Sequence, residues 1–148
     1  MQLVTRTSEE LDVETRVALR QLWHEAYGDR FSDDDVDHAY GGVHVLAIEG
    51  GILIGHASAV PRPIRFGEGD WQTIAYVEAV AVHPDYQRQG IGAEVLRTLH
   101  REMSQKWACD KFLRSSRLAT LGWDFVHAHS RRTGSGWRTR WPDGEVAP

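Results

Sequence analysis

The chain has 148 residues, of which 41% are hydrophobic, and a formal net charge of −4. This length and composition predict one globular domain with a single hydrophobic core. No apolar run reaches the length of a membrane span, no hydrophobic leader opens the chain, and the single cysteine, Cys109, excludes an internal disulfide. We therefore expect a cytoplasmic protein that contacts no membrane and binds no metal.

Charge is unevenly distributed along the chain. Residues 1–110 contain 10 Lys and Arg against 18 Asp and Glu, a net charge of −8, whereas residues 111–148 contain 7 against 3, a net charge of +4. An acidic main body argues against a nucleic-acid partner and favours a small cationic substrate. Acidic surfaces also keep proteins soluble, so this preference is modest.

The N-terminal part predicts a strand followed by two helices. Residues 3–6 favour a strand, and a capping-box sequence at residues 7–10 precedes a helix that runs to about Tyr27. Ser32 is placed to cap a short second helix that ends near Tyr40.

Two strands and a hairpin turn are predicted next. Val43 to Glu49 and Ile52 to Val60 favour strands, and the Gly50-Gly51 dipeptide joins them. Pro61 and Pro63 either end the second strand or mark the edge of the sheet. Two tryptophans flank this region, and we expect both in the core: Trp23 and Trp71.

An acidic segment follows the first helix and comprises Asp29, Asp33, Asp34, Asp35 and Asp37. Acids at a helix N-terminus complement the helix dipole and stay solvated, which accounts for residues 33–35. This accounts less well for Asp29 and Asp37. A wall of carboxylates that meets an amine-rich ligand is an equal alternative.

The most informative stretch runs from Tyr76 to Met103. It begins as a strand rich in Val and Ala and ends as a helix with an apolar residue at every fourth position: Ile91, Val95, Leu99 and Met103. Between them lies the sequence Gln87-Arg88-Gln89-Gly90-Ile91-Gly92. Two glycines allow a close backbone approach to a ligand, the first helical amides are unpaired, and Arg88 adds a charged donor. The pattern predicts an anion-binding strand–loop–helix; the alternative is a tight turn without a ligand.

The loop departs from two common phosphate motifs. No lysine precedes Lys106, which excludes a P-loop, and Val95 occupies the third glycine position of the dinucleotide fingerprint. The pattern Gln/Arg-x-x-Gly-x-Gly/Ala after a strand resembles the acyl-CoA-binding signature of the GNAT N-acetyltransferases. The stretch from Val77 to Gly92 resembles that superfamily's central strand and pyrophosphate loop.

Within the superfamily, four segments resemble the aminoglycoside 2′-N-acetyltransferases: residues 28–35, 41–44, 54–57 and 76–82. The resemblance implies that Asp29 and Asp35 contact ammonium groups of the drug. It also implies that Glu78 lies near the acceptor amine and acts as the general base. The alternative for Glu78 is a carboxylate satisfied within the sheet, but on an apolar strand an unpaired carboxylate is costly.

The resemblance further implies an α/β (α+β) protein with the GNAT fold, in which helices flank a mixed, mostly antiparallel sheet. A single domain then spans residues 1–148, with residues 1–106 well matched and residues 107–148 divergent. Acetyl-CoA would be the cosubstrate. Its pantetheine arm would pair with the backbone of Val80, Ala81 and Val82, and its pyrophosphate would lie on amides of Gln87, Arg88, Gln89, Gly90, Ile91, Gly92 and Ala93.

The C-terminal third departs from the family. The family's general acid is a tyrosine in this part of the chain, but no tyrosine follows Tyr86. Tyr86 itself is expected to pack against the loop. His127 or His129 is an alternative acid, and residues 125–129 favour a short strand.

Three functions fit these residues. The first is transfer of acetyl from acetyl-CoA to an amine of an aminoglycoside, with the 2′-amino group favoured by the resemblance. The second replaces the drug with a polyamine, a peptide or a metabolite amine. The third is acyl-CoA binding without catalysis. A homodimer is left open.

Overall fold

A computed structural model of the protein describes residues 1–106, 112–114, 137–140 and 146–147. The helices are α1 (Val13–Tyr27), α2 (Asp33–Ala39) and α3 (Ile91–Lys106), and single 3₁₀ turns lie at Ser8–Glu10, Gly28–Arg30 and Pro84–Tyr86. The strands are β1 (Gln2–Thr7), β2 (Val43–Glu49), β3 (Ile52–Phe66), β4 (Gln72–Val82), β5 (Phe112–Arg114), β6 (Trp137–Arg140) and β7 (Val146–Ala147).

These strands form one sheet in the order β1-β2-β3-β4-β5, and all neighbours in it are antiparallel except the parallel pair β4–β5. β6 pairs with the end of β3, and β7 pairs with β6. The predicted strands and helices of residues 1–106 are confirmed, as is the mixed, mostly antiparallel sheet. The strand expected at residues 125–129 lies outside the described residues.

Helices cover both faces of the sheet. On one face, α3 buries the four apolar residues at its predicted every-fourth positions, together with a core that includes Val45, Ile54, Val77 and Val80. On the other face, α1 and α2 bury a second cluster with Leu19, Leu22, Trp23, Val36 and Ala81. Each fully buried Leu, Ile or Val side chain stabilises the fold by about 1.5–3 kcal/mol relative to an exposed one. Apolar burial therefore holds both layers of helix against the sheet.

Two local predictions need correction or refinement. The capping box at residues 7–10 caps the first 3₁₀ turn, and α1 begins only at Val13 with Asp12 as its cap. β3 continues through both prolines to Phe66. Its pairing with β2 stops at Ala59 and its pairing with β6 starts at Ile64, so the prolines occupy a stretch with one described neighbouring strand. Within the described residues they lie at an edge of the sheet, which agrees with their missing N–H groups.

The two tryptophans differ in burial. Trp23 is buried as expected, with 1% of its surface exposed. The prediction for Trp71 is wrong, because it is 42% exposed at the start of β4, where the Arg65 guanidinium lies 5.4 Å from its ring centre. Stacking of a cation covers an aromatic ring without burying it in the core.

A buried chain of hydrogen bonds links α1, β3, β2 and the first 3₁₀ turn. The Trp23 indole can only donate, and it donates to Nδ1 of His56 at 3.2 Å. The proton of His56 is therefore on Nε2, 3.0 Å from Nδ1 of His44, and the proton of His44 is on Nε2, 2.8 Å from Oγ of Ser8. Both imidazoles are thus neutral in the folded protein.

We predict that acid destabilises the fold through this chain. Burial lowers the pKa of His44 to about 4, with Arg16 adding to the effect, and burial also holds the pKa of His56 well below its usual value. As pH falls, the unfolded chain takes up these protons before the folded protein does. The contribution of neutral His44 to the free energy of unfolding is therefore complete above pH 6.5 and is lost as pH falls to 4, a loss of about 3 kcal/mol. Urea unfolding across this pH range, compared between the wild type and His44→Gln, measures it. A His44→Gln protein with the wild-type pH slope would contradict the prediction.

Candidate active site

A β-bulge in β4 sets the position of Glu78. Ala79 pairs with Ser58 of β3 and Val77 pairs with Ala59, so Glu78 is the extra residue of β4. Val77 packs in the apolar cluster on the α3 face of the sheet, and Ala79 packs in the cluster on the α1 and α2 face. A bulge of this kind re-aims one side chain without ending the strand. It places the carboxylate of Glu78 in the sheet with only 6% of the side chain exposed.

Arg62 of β3 is the ionic partner of Glu78. Its Nε and Nη2 atoms donate to Oε1 of Glu78 at 3.1 and 2.9 Å, and Nη2 also donates to the His38 carbonyl of α2 at 3.3 Å. Burial raises the pKa of Glu78 to about 6, Arg62 opposes this rise, and the charge of Asp35 adds to it. Glu78 is therefore ionised at neutral pH but close to its titration range.

The acidic segment divides into three roles. Asp35 accepts hydrogen bonds from the amide and hydroxyl of Ser32 at 2.8 and 2.7 Å, and its charge acts on Glu78. Asp33 is paired with Arg20 on the surface at 2.8 Å. Asp29 lies exposed in the second 3₁₀ turn without a hydrogen bond or ion pair to any described residue. The fold therefore brings Asp35 towards Glu78 but does not tie Asp29 to it.

One edge of β4 beyond Val77 has no strand beside it in the described part of the chain, because β5 pairs only with Ala75–Val77. The His83 amide donates to the Ile54 carbonyl of β3 at 2.9 Å. Since backbone groups of successive strand residues point to alternate edges, the Val80 and Val82 carbonyls face the open edge.

Both of these carbonyls already accept side-chain hydrogen bonds. The Tyr27 hydroxyl donates to the Val80 carbonyl, and Nε2 of Gln87 donates to the Val82 carbonyl at 3.2 Å. The role of Tyr27 was not predicted. Its position was the available signal, because it ends the apolar face of α1, where a tyrosine needs a partner for its hydroxyl.

The loop before α3 borders an open cavity of about 400 Å³, lined by Val82, Tyr86, Gln87, Arg88, Gly90, Ile91, Gly92 and Ala93. Arg88 and Gly90 adopt positive φ angles of 61° and 84°, which turn the chain into the helix. The first helical hydrogen bond runs from the Glu94 amide to the Gly90 carbonyl, so the amides of residues 91–93 precede it. Gln89 instead donates to the Asp85 carbonyl at 3.2 Å.

This geometry fits a diphosphate. At the start of a 16-residue helix, amides that no described residue pairs favour an anion, and the cavity reaches them directly. Residues 8–122 match the model of the acetyltransferase (GNAT) family. This chain belongs to the GNAT acetyltransferases.

This GNAT chain has a relative of named activity. The chain is 40% identical over 87 residues to an aminoglycoside 2′-N-acetyltransferase of Mycolicibacterium fortuitum, and the match covers 59% of this chain. The same match covers 44% of the relative, so the chain corresponds to less than half of that protein's length.

Solved structures of aminoglycoside acetyltransferases share the fold. The complex of AAC(6′)-Iy with the bisubstrate analogue CoA-S-monomethyl-acetylneamine has a TM-score of 0.58 at 16% identity, covering 90% of this GNAT chain and 100% of that one. An acetyltransferase from an uncultured soil metagenomic sample, in complex with sisomicin, has a TM-score of 0.58 at 14% identity, covering 89% and 96%. The predicted GNAT fold is confirmed.

The described part of this GNAT chain has neither a membrane-spanning helix nor a cluster of metal ligands. None of its helices is both long and apolar enough to cross a membrane. Among the same residues, no three His, Cys, Asp or Glu side chains are grouped as metal ligands. His127 and His129, the alternative acids, lie outside the described residues.

We predict that Tyr27→Phe lowers stability. The Val80 carbonyl loses its side-chain donor at a buried position, which costs about 1–3 kcal/mol. Chemical denaturation of the two proteins measures the difference. Tyr86→Phe is the matched control, because its hydroxyl makes no hydrogen bond to the described residues, and it is expected to unfold like the wild type. Equal stability of Tyr27→Phe and Tyr86→Phe would contradict the prediction.

Proposed function

We propose that this protein transfers the acetyl group of acetyl-CoA to a primary amine of an aminoglycoside, with the 2′-amino group favoured. The observation that carries the proposal is the ionised, buried Glu78 on the same strand that leads into the anion-binding loop. The relative from Mycolicibacterium fortuitum, named for that reaction, supports the choice of substrate.

The spacing along β4 suits a long cosubstrate. Val82 lines the cavity and lies four residues after Glu78, which corresponds to about 13 Å of strand. The extended pantetheine arm of CoA bridges a distance of this order between its diphosphate and its thioester. The arm would pair with the open edge of β4 at Val80, Ala81 and Val82, where it must displace or lie beside the side chains of Tyr27 and Gln87.

Residues at the start of α3 would hold the diphosphate. The amides from Gln87 to Ala93 are the candidate donors, and Arg88 brings a positive charge to the cavity wall. When bound, acetyl-CoA supplies an acetyl thioester. Holding it beside the acceptor amine provides much of the rate through proximity.

Glu78 would remove the proton of the acceptor. An amine is protonated at neutral pH and has no free lone pair, so it must lose a proton before it attacks a thioester. A carboxylate whose pKa is raised to about 6 is a better base than a solvated one and is still ionised at pH 7. Asp35 would hold a second ammonium group of the same ligand, which favours a polyamine drug over a monoamine.

Binding and turnover together test the proposal. Isothermal titration with acetyl-CoA, then with an aminoglycoside, is followed by a CoA-release assay and by NMR of the product. Binding of both ligands with 2′-acetylation is expected. Turnover on other amines alone would support a different GNAT substrate, and CoA binding without turnover would support the non-catalytic function. No affinity for acetyl-CoA would overturn all three.

We predict that Glu78→Gln reduces kcat by about 10²–10⁴-fold, because the amide cannot accept the proton. In the wild type, kcat/KM falls as pH drops below about 6, where Glu78 becomes protonated. The pH–rate profile measures this limb. Affinity for acetyl-CoA is the internal control and is expected to be unchanged, since the anion-binding loop follows the end of β4 and does not include Glu78. Wild-type activity in Glu78→Gln would exclude Glu78 as the base.

A further inference from the structure

We propose that Arg62 is a positioning residue for acetyl transfer: it grips one oxygen of Glu78 so that the other oxygen is left for the proton of the acceptor amine. This inference rests on the proposed function, in which Glu78 is the general base. It assigns a role to a residue on a different strand, 16 positions away in the sequence.

The two carboxylate oxygens of Glu78 have different surroundings. Both donors from Arg62 converge on Oε1, at 3.1 and 2.9 Å. No described residue donates a hydrogen bond to Oε2. An arginine that bound both oxygens side by side would occupy the whole carboxylate; this arrangement occupies half of it. Oε2 is therefore the oxygen available to a ligand.

Arg62 also fixes Glu78 relative to the acidic segment. Its Nη2 atom donates to the His38 carbonyl near the end of α2, at 3.3 Å. The same short helix carries Asp35 in its first turn. A single guanidinium thus joins β3, the bulge of β4 and α2, and it holds the base and the candidate substrate carboxylate in one rigid frame.

The charges that face Glu78 come from three elements. Arg62 lies on β3, Asp35 lies on α2, and Tyr76 lies on β4, where burial and then the charge of Glu78 raise the pKa of that phenol. Arg62 is the positive member of this group. Without it, burial and Asp35 act on Glu78 without opposition, and the carboxylate holds its proton to a higher pH.

A buried ion pair with no role in the reaction is the competing explanation. Such pairs are weak evidence for stability, and removing one partner destabilises a protein. The two explanations differ in one observable. A purely structural pair lowers the amount of folded enzyme, whereas a positioning residue changes the pH at which the folded enzyme loses activity.

The test compares Arg62→Met and Arg62→Lys with Arg65→Lys. Lysine keeps the charge but loses the two-donor fork, and methionine loses both. Arg65 lies on the same strand, stacks on Trp71 and is the control, with wild-type activity and pH profile expected. For Arg62→Met, we expect the acid limb of kcat/KM to move up by about one pH unit or more, with kcat at pH 7 reduced about tenfold or more and partly restored at pH 9.

Arg62→Lys is expected to show a smaller shift in the same direction, with acetyl-CoA affinity unchanged in both variants. An acid limb at the wild-type pH in a folded Arg62 variant would overturn the proposal. If neither variant folds, the proposal is also overturned, because Arg62 then serves the fold first.

A second readout separates this inference from the proposed function. Carboxyl ¹³C NMR of Glu78, assigned by its loss in Glu78→Gln, gives its titration without turnover. If the protein acetylates no amine but the titration midpoint of Glu78 is higher in Arg62→Met than in the wild type, the inferred effect of Arg62 on Glu78 stands and only acetyl transfer is rejected. An unchanged midpoint in an active enzyme would reject the role of Arg62 alone.

Discussion

The ion pair between Arg62 and Glu78 is the interaction on which the candidate site depends. A carboxylate buried in a sheet loses its hydration, and the penalty is several kcal/mol unless a charged partner offsets it. In the Arg62–Glu78 pair, two donors from one guanidinium provide this compensation. The compensation is incomplete, because burial still raises the pKa of Glu78. The part of the desolvation penalty that Arg62 does not offset is what makes this carboxylate basic enough to be useful near neutral pH.

The bulge lets β4 serve two sites at once. Without the extra residue, regular alternation would continue from Val77 to Ala79, and one of the two cores would lose its register. With it, both apolar layers remain packed while Glu78 turns towards α2, and the strand still runs on into the loop before α3. The carboxylate therefore lies on the strand that leads directly into the anion-binding loop and α3, which suits a reaction between two separately bound ligands.

The sequence was most informative where local chemistry alone determines structure. The loop at residues 87–92, the apolar positions of α3 and the single acid on the apolar strand each follow from neighbouring residues. Arg62 could not be paired with Glu78 in this way, because their contact depends on strand register, and the flanking prolines left open whether the strand continued. Tyr27 was equally hidden, since its ring fits an apolar helix face and only the fold shows which carbonyl its hydroxyl reaches.

Tyr27 and Gln87 have a consequence for self-association. A strand edge with free carbonyl groups is a template on which a second chain can extend the sheet. In the described part of this protein, the Val80 and Val82 carbonyls at such an edge are each occupied by a side chain from the same molecule. Another copy would have to break two hydrogen bonds before it could add a strand there, which discourages extension of the sheet between molecules at this edge.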